Sequence, residues 1–140
     1  MADQPSSILY ICGRNSIRSP MAAALTQGWF PRAFYVASAG IVAGERDPFV
    51  DAVLAEVGLE IGAHRPHSLE ELEDLGFDLA VTLSPEAHHR ALELTRTNAI
   101  AVEYWPMPDP SLATGSREQI LAAYRDVRER LSARIRERFR

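Results

Sequence analysis

The chain has 140 residues, 46% apolar and 24% charged, the composition of an ordinary soluble globule with enough material for one hydrophobic core. Fifteen basic residues against nineteen acidic ones give a formal charge of −4, which offers no general attraction to nucleic acid or to an anionic membrane. Every basic residue is an arginine, which excludes mechanisms that need a side-chain amine, such as Schiff bases or the lysine of a nucleotide-binding P-loop.

The opening MADQPSS has no basic region or cleavage signal, and residues 1–7 read as a flexible start. Residues 8–11 (ILYI) form a short apolar run without alternation, the pattern of a strand covered on both faces in a parallel sheet. Ser19-Pro20 then offers a cap oxygen followed by a residue that needs no amide hydrogen bond, the mark of a helix start. A second strand is expected over 34–38 (FYVAS), a helix from Asp47-Pro48, and a further helix where Ser68 and Glu71 have capping-box spacing. Residues 78–83 (DLAVTL) read as the third strand, Ser84-Pro85 as a helix start, and 99–104 (AIAVEY) as the fourth strand. Ser116 and Gln119 cap a last helix whose Ile120, Tyr124, Val127, Leu131, Ile135 and Phe139 repeat along one stripe. Its arginines alternate with Asp126, Glu129 and Glu137 and read as a solvated face rather than a site for an anionic partner.

The order β-α-β-α-α-β-α-β-α with right-handed crossovers predicts a single domain over 1–140. It is an α/β three-layer open sandwich, with a four-stranded parallel sheet and helices on both faces. No apolar stretch approaches the roughly 18 residues of a membrane span, and the expected location is the cytoplasm. In such folds ligands sit at the carboxyl ends of the strands, and Cys12 lies at one of them.

Cys12 is the only cysteine, so neither an internal disulfide nor a multi-cysteine zinc site is available to it; it is an inert buried residue or a reactive thiol. The loop that follows, GRNSI, would form a cluster of amide donors if curled inward, next to the positive end of the helix. Arg18 would add a planar fork for two oxygens of a tetrahedral oxyanion. Thiolate is favoured over thiol beneath such a cradle. Gly13 and Asn15 both tolerate the positive φ that an inward-turned loop needs somewhere. Ser19 has two available roles, capping the helix or donating its hydroxyl to the sulfur. His64 and His67, like His88 and His89, lack the further ligands of a metal cluster, and no metal or other cofactor is expected.

The C-x5-R-S spacing between a strand and a Ser-Pro helix resembles the low-molecular-weight protein tyrosine phosphatase family, which includes thioredoxin-coupled arsenate reductases. The similarity continues through SAG at 38–40, GLEIGAHRPHSL at 58–69, DLAVTLS at 78–84 and PDP at 108–110. The resemblance implies the same open four-stranded sheet, with Cys12 as a nucleophile that forms a phosphocysteine. It implies that Arg18 and the amides of Gly13, Arg14, Asn15, Ser16, Ile17 and Ser19 hold the phosphoryl oxygens, and that Asp109 is the general acid. By the same resemblance Ser38 supports the loop and His64 hydrogen-bonds Asn15.

The sequence also departs from the family. Ser111-Leu112 and IVAGER at 41–46 stand where tyrosine phosphatases carry the aromatic residues that clamp a phenyl ring. Tyr104 and Trp105 are either substitutes for that clamp or core residues. The loop lengths are closer to the arsenate-reductase branch, yet Ser84 occupies the place of its second cysteine, so an internal thiol relay is impossible. Ile17 replaces a second phosphate-loop cysteine of the phosphatases. The leading expectation is a phosphomonoesterase that takes phosphotyrosine, in protein or small-molecule form, or another aryl phosphate. Inorganic phosphate or another tetrahedral oxyanion would bind the loop. The alternatives are an arsenate reductase served by an external thiol and a regulatory oxyanion-binding module without turnover.

Overall fold

A computed structural model describes residues 4–140. Its elements run β1 (Ser7–Cys12), α1 (Arg18–Trp29), β2 (Tyr35–Gly40), α2 (Pro48–Ala55), β3 (Leu79–Thr82), α3 (Pro85–Leu94), β4 (Ala101–Tyr104) and α4 (Arg117–Phe139). The four strands lie in the order β2-β1-β3-β4, every neighbouring pair parallel. This is the α/β sandwich expected from the sequence.

The unbroken apolar run of β1 follows from its two covered faces. Ile8, Tyr10 and Cys12 enter the larger core cluster with α1, α2 and α4, while Leu9 and Ile11 enter a smaller one beneath α3. The α4 stripe supplies Tyr124, Val127, Leu131, Ile135 and Phe139 to the larger cluster. Complete burial of Leu131 and Ile135 stabilises the fold by about 1.5–3 kcal/mol each. Tyr10 places its hydroxyl 2.7 Å from Thr26 Oγ1, and Thr26 in turn donates to Ala22 O, so the polar atoms buried between β1 and α1 are satisfied.

Two helix starts behave as the Asp-Pro and Ser-Pro pairs suggest. Asp47 Oδ1 accepts from Phe49 N and Ser84 Oγ from Ala87 N. The capping box at Ser116 is also formed, with both reciprocal bonds to Gln119. The helix expected after Ser68 is not there. Ser68 N does donate to Glu71 Oε2, but the box closes only a 3-10 turn, Leu69–Glu71, before Leu72 returns to extended backbone. Leu69 is buried in the smaller cluster, and Leu72 and Leu75 pack against it from non-helical backbone before Asp74 Oδ1 accepts from Gly76 N in a turn, so the segment places its leucines without continuing the helix.

The first helix also differs from expectation. It begins at Arg18 with Ile17 in the cap position and no side-chain cap, because the Ser19 hydroxyl is turned toward Cys12 instead. The flexible start expected over 1–7 falls partly on residues 1–3, outside the described residues. From Gln4 onward the chain is tied down: Gln4 Nε2 donates to Phe139 O, Ser6 N to Asp78 Oδ2, and Tyr35 N to Ser6 O.

Candidate active site

Parallel pairing brings the carboxyl ends of β1, β2 and β3 to one edge, and the loop after β1 curls there. Its outer carbonyls are engaged by the loop after β2. Ile41 N donates to the carbonyls of Cys12 and Gly13, Val42 N to Gly13 O, and Gly44 N to Arg14 O. The backbone amides of Gly13, Arg14, Asn15, Ser16 and Ile17 have no protein acceptor among the described residues. Carbonyls bound on the outside and amides free on the inside, beside the uncapped start of α1, make a seat for an anion.

Asn15 holds the loop in that shape. It is fully buried with φ at 58°, whereas Gly13 has no positive φ, so the left-handed residue of the loop is the asparagine. Its Oδ1 accepts from His67 N at 3.1 Å, which fixes the orientation of the amide. Its Nδ2 then donates to Ser19 Oγ and to Ser38 Oγ, both at 2.9 Å. His64 Nε2 lies 3.0 Å from Asn15 O and donates to it. Burial holds the His64 imidazole below its ordinary value, an effect the hydrogen bond to Asn15 opposes and the nearby His67 and Arg46 reinforce.

Cys12 Sγ sits 2.9 Å from Ser19 Oγ and is buried beneath the loop. Because Asn15 already donates to the Ser19 oxygen, the seryl proton is free to point at the sulfur, its nearer acceptor; Ala39 O is 3.4 Å away. A hydroxyl aimed this way stabilises thiolate.

A cleft of about 40 Å³ is lined by Cys12, Arg14, Ser16, Ile17, Arg18, Asp109 and Ser111. Arg18 Nη1 donates to Met107 O, which anchors the guanidinium beside the cleft. Asp109 reaches the same cleft from the loop after β4. Its Oδ1 accepts from Ser111 N and Ser111 Oγ at 3.0 and 2.7 Å, while Oδ2 has no protein partner among the described residues. One oxygen is therefore held and the other is free to exchange a proton.

Two supports of the site are not marked in the sequence as functional, and three residues weighed there lie outside the cleft. The Ser111 hydroxyl that orients Asp109 follows the ordinary Asp-x-Ser turn spacing, the one signal that pointed toward it. The His67 amide acts through its backbone and leaves no residue-type signature. Trp105 packs against Tyr10 and Phe139 in the core, and Tyr104 stacks on His88 at 4.5 Å between ring centroids, so neither lines the cleft. Ser84 is a buried helix cap.

A family model described as low molecular weight phosphotyrosine protein phosphatase matches residues 7–139. The chain belongs to this family. Among curated relatives of this low-molecular-weight phosphatase family member, an arsenate reductase of Bacillus subtilis is 29% identical over 130 residues, covering 93% of this chain and 92% of its own. Among solved structures, a tyrosine phosphatase of Erwinia amylovora superposes with a TM-score of 0.78 at 20% identity, covering 97% and 92% of the two chains. An arsenate reductase in a phosphate-binding state gives 0.74 at 24% identity, with coverage of 94% and 95%. Both phosphatases and reductases thus share this fold, and the family is one of cysteine-dependent enzymes.

Proposed function

We propose that the protein is a metal-independent phosphomonoesterase that works through a phosphocysteine, with aryl phosphates, phosphotyrosine among them, as its substrate class. The convergence of Cys12, Arg18 and Asp109 on one small cleft supports this reading most directly. The loop amides and Arg18 hold the phosphoryl oxygens and stabilise the charge that builds on them. The Cys12 thiolate attacks phosphorus, and the bond to the leaving oxygen breaks as Asp109 Oδ2 delivers a proton to it. The resulting Asp109 carboxylate takes a proton from water, which attacks the phosphocysteine and releases inorganic phosphate and the thiolate.

Hydrolysis of para-nitrophenyl phosphate and phenyl phosphate by the wild type, Cys12→Ser and Asp109→Asn tests it. Cys12→Ser should abolish turnover, and Asp109→Asn should cost about 10²- to 10⁴-fold with phenyl phosphate, whose poor leaving group needs the proton. No turnover by wild type, with phosphate still bound, would leave a regulatory oxyanion-binding module.

A second reading is arsenate reduction. The curated relative from Bacillus subtilis named arsenate reductase aligns over almost the whole chain. With Ser84 in place of a thiol and Cys12 the only cysteine, the two electrons would come from two molecules of an external thiol, which leave as a disulfide while arsenate becomes arsenite. Arsenite production with added small thiols tests this reading, and its absence with every thiol tried would dispose of it.

A further inference from the structure

Beside the catalytic cleft lies a larger open groove of about 650 Å³, bounded by the loop after β2, the start of α2 and α4, and lined among others by Glu45, Arg46, Asp47, Phe49 and Tyr124. Arg14, Ser16, Ile17 and Ser111 line both spaces, so the two are continuous and a leaving group projecting from the cleft enters the groove. Its aromatic wall is Phe49 against Tyr124, with ring centroids 5.2 Å apart.

The charged groups of the groove are unequal in what they already bind. Asp47 has both oxygens in use, one by Phe49 N and one by the Tyr124 hydroxyl at 2.6 Å. Arg46 is committed to Asp51 and to the carbonyls of Gly62 and His64. Glu45 lines the groove but not the cleft. Arg14 is exposed, stands where the two spaces meet, and its side chain has no ion pair or hydrogen bond among the described residues. Gly44 packs closely on the loop here, a Cβ at that position falling 2.8 Å from Arg14 Cβ and 2.5 Å from Ser16 Oγ. Arg14 lines the groove as well as the cleft. There it is a second cation, separate from Arg18.

We propose that Arg14 is a specificity residue that binds a second anionic group on the leaving-group side of the substrate, so that the preferred esters are aryl phosphates carrying a carboxylate or a further phosphate. This rests on the phosphomonoesterase reading and adds to it the charge of the leaving group. The uncommitted guanidinium can form a forked contact to such a group, and Glu45, further out, keeps the anion's seat at the cleft end.

The test compares kcat/KM for meta- and para-carboxyphenyl phosphate with the matching carboxamides, in wild type, Arg14→Gln and Arg14→Lys. Taking the ratio of each pair across variants cancels intrinsic leaving-group reactivity. Arg14→Gln should lower the carboxylate preference about threefold to fivefold, the range of a solvated ion pair, and Arg14→Lys should retain part of it. Added salt should erode the preference of the wild type and leave that of Arg14→Gln unchanged. Binding of the corresponding carboxyphenyl and carbamoylphenyl phosphonates to Cys12→Ser, with and without Arg14→Gln, gives a readout free of turnover. An Arg14-dependent preference in binding with no ester hydrolysed would sink the phosphatase reading and keep the anion seat. Hydrolysis of both esters with a ratio indifferent to Arg14 would sink the seat and keep the phosphatase reading. A ratio indifferent to Arg14 in both readouts overturns the proposal.

Discussion

Replacing Asn15 by alanine removes the buried residue on which the anion loop hangs. Three side-chain hydrogen bonds disappear, to Ser19 Oγ, Ser38 Oγ and His67 N, at a net cost of about 1 kcal/mol each. Alanine at φ 58° adds ~1 kcal/mol, because a Cβ is disfavoured in the left-handed region and the asparagine side chain no longer offsets it. The expected destabilisation is ~3–4 kcal/mol, which for a chain of this size lowers Tm by roughly 10 °C. Asn15→Gly loses the same bonds without the Cβ and should be ~1 kcal/mol less damaging than Asn15→Ala. Urea unfolding of the three proteins, followed by circular dichroism, measures both differences, and calorimetric titration with phosphate reports the loop itself. Phosphate affinity should fall in both variants. An Asn15→Ala protein with wild-type stability and wild-type phosphate affinity would refute the reasoning, and glycine as damaging as alanine would refute its backbone part.

Gly40→Ala should weaken phosphate binding by more than about tenfold and also destabilise the fold, since overpacking typically costs ~1–3 kcal/mol and the atoms in the way are backbone. Its Cβ would meet Arg14 C and Asn15 N at 2.7 Å and push the loop out of shape, which isothermal titration would detect. His64 supplies a pH dependence. Its folded value lies below 6.5, so as pH falls through that point the unfolded chain takes up the proton first and stability declines. Urea midpoints between pH 8 and 5 should fall less steeply in His64→Asn than in wild type. Glu56 works in the opposite sense: Arg125 and then Arg128 hold its carboxyl down to about 2 from 4.5. Its contribution is complete above pH 4.5 and is lost as pH falls toward 2. Glu56→Gln should therefore melt below wild type at pH 7, leaving the largely buried Arg128 with Glu129 as its remaining carboxylate partner among the described residues, and the gap should close as pH is lowered.

The fold was legible because each strand is a short apolar run and three of the helix starts carry a Ser or Asp cap whose bond the structure contains. The helix predicted after Ser68 stops for a physical reason: a capping box satisfies only the first amides, and Leu72 and Leu75 reach the core from non-helical backbone instead of from a continued helix. Ser19 shows why local signals mislead at a site. Ser-Pro is a good helix entry, yet the hydroxyl is more useful beside Cys12 Sγ, and the helix starts without a side-chain cap. Of the three residues that meet in the cleft, Cys12 and Arg18 are recognisable by type and spacing, whereas Asp109 is recognisable only through the family resemblance. Their supports are not, because the His67 amide, the left-handed turn at Asn15 rather than Gly13, and the two bonds from Ser111 depend on contacts between distant loops. Arg14 looked from the sequence like one more amide of the loop, and only the neighbouring groove gives its side chain a role.

The central claim is that Cys12 carries the phosphoryl group during turnover. Rapid quenching of the enzyme mixed with para-nitrophenyl phosphate, followed by mass analysis of the peptide containing Cys12, examines it directly. A phosphoryl adduct on Cys12 is expected in wild type, more of it in Asp109→Asn, where water is activated poorly, and none in Cys12→Ser. Ester hydrolysis with no adduct in either the wild type or Asp109→Asn, or continued hydrolysis by Cys12→Ser, would contradict it.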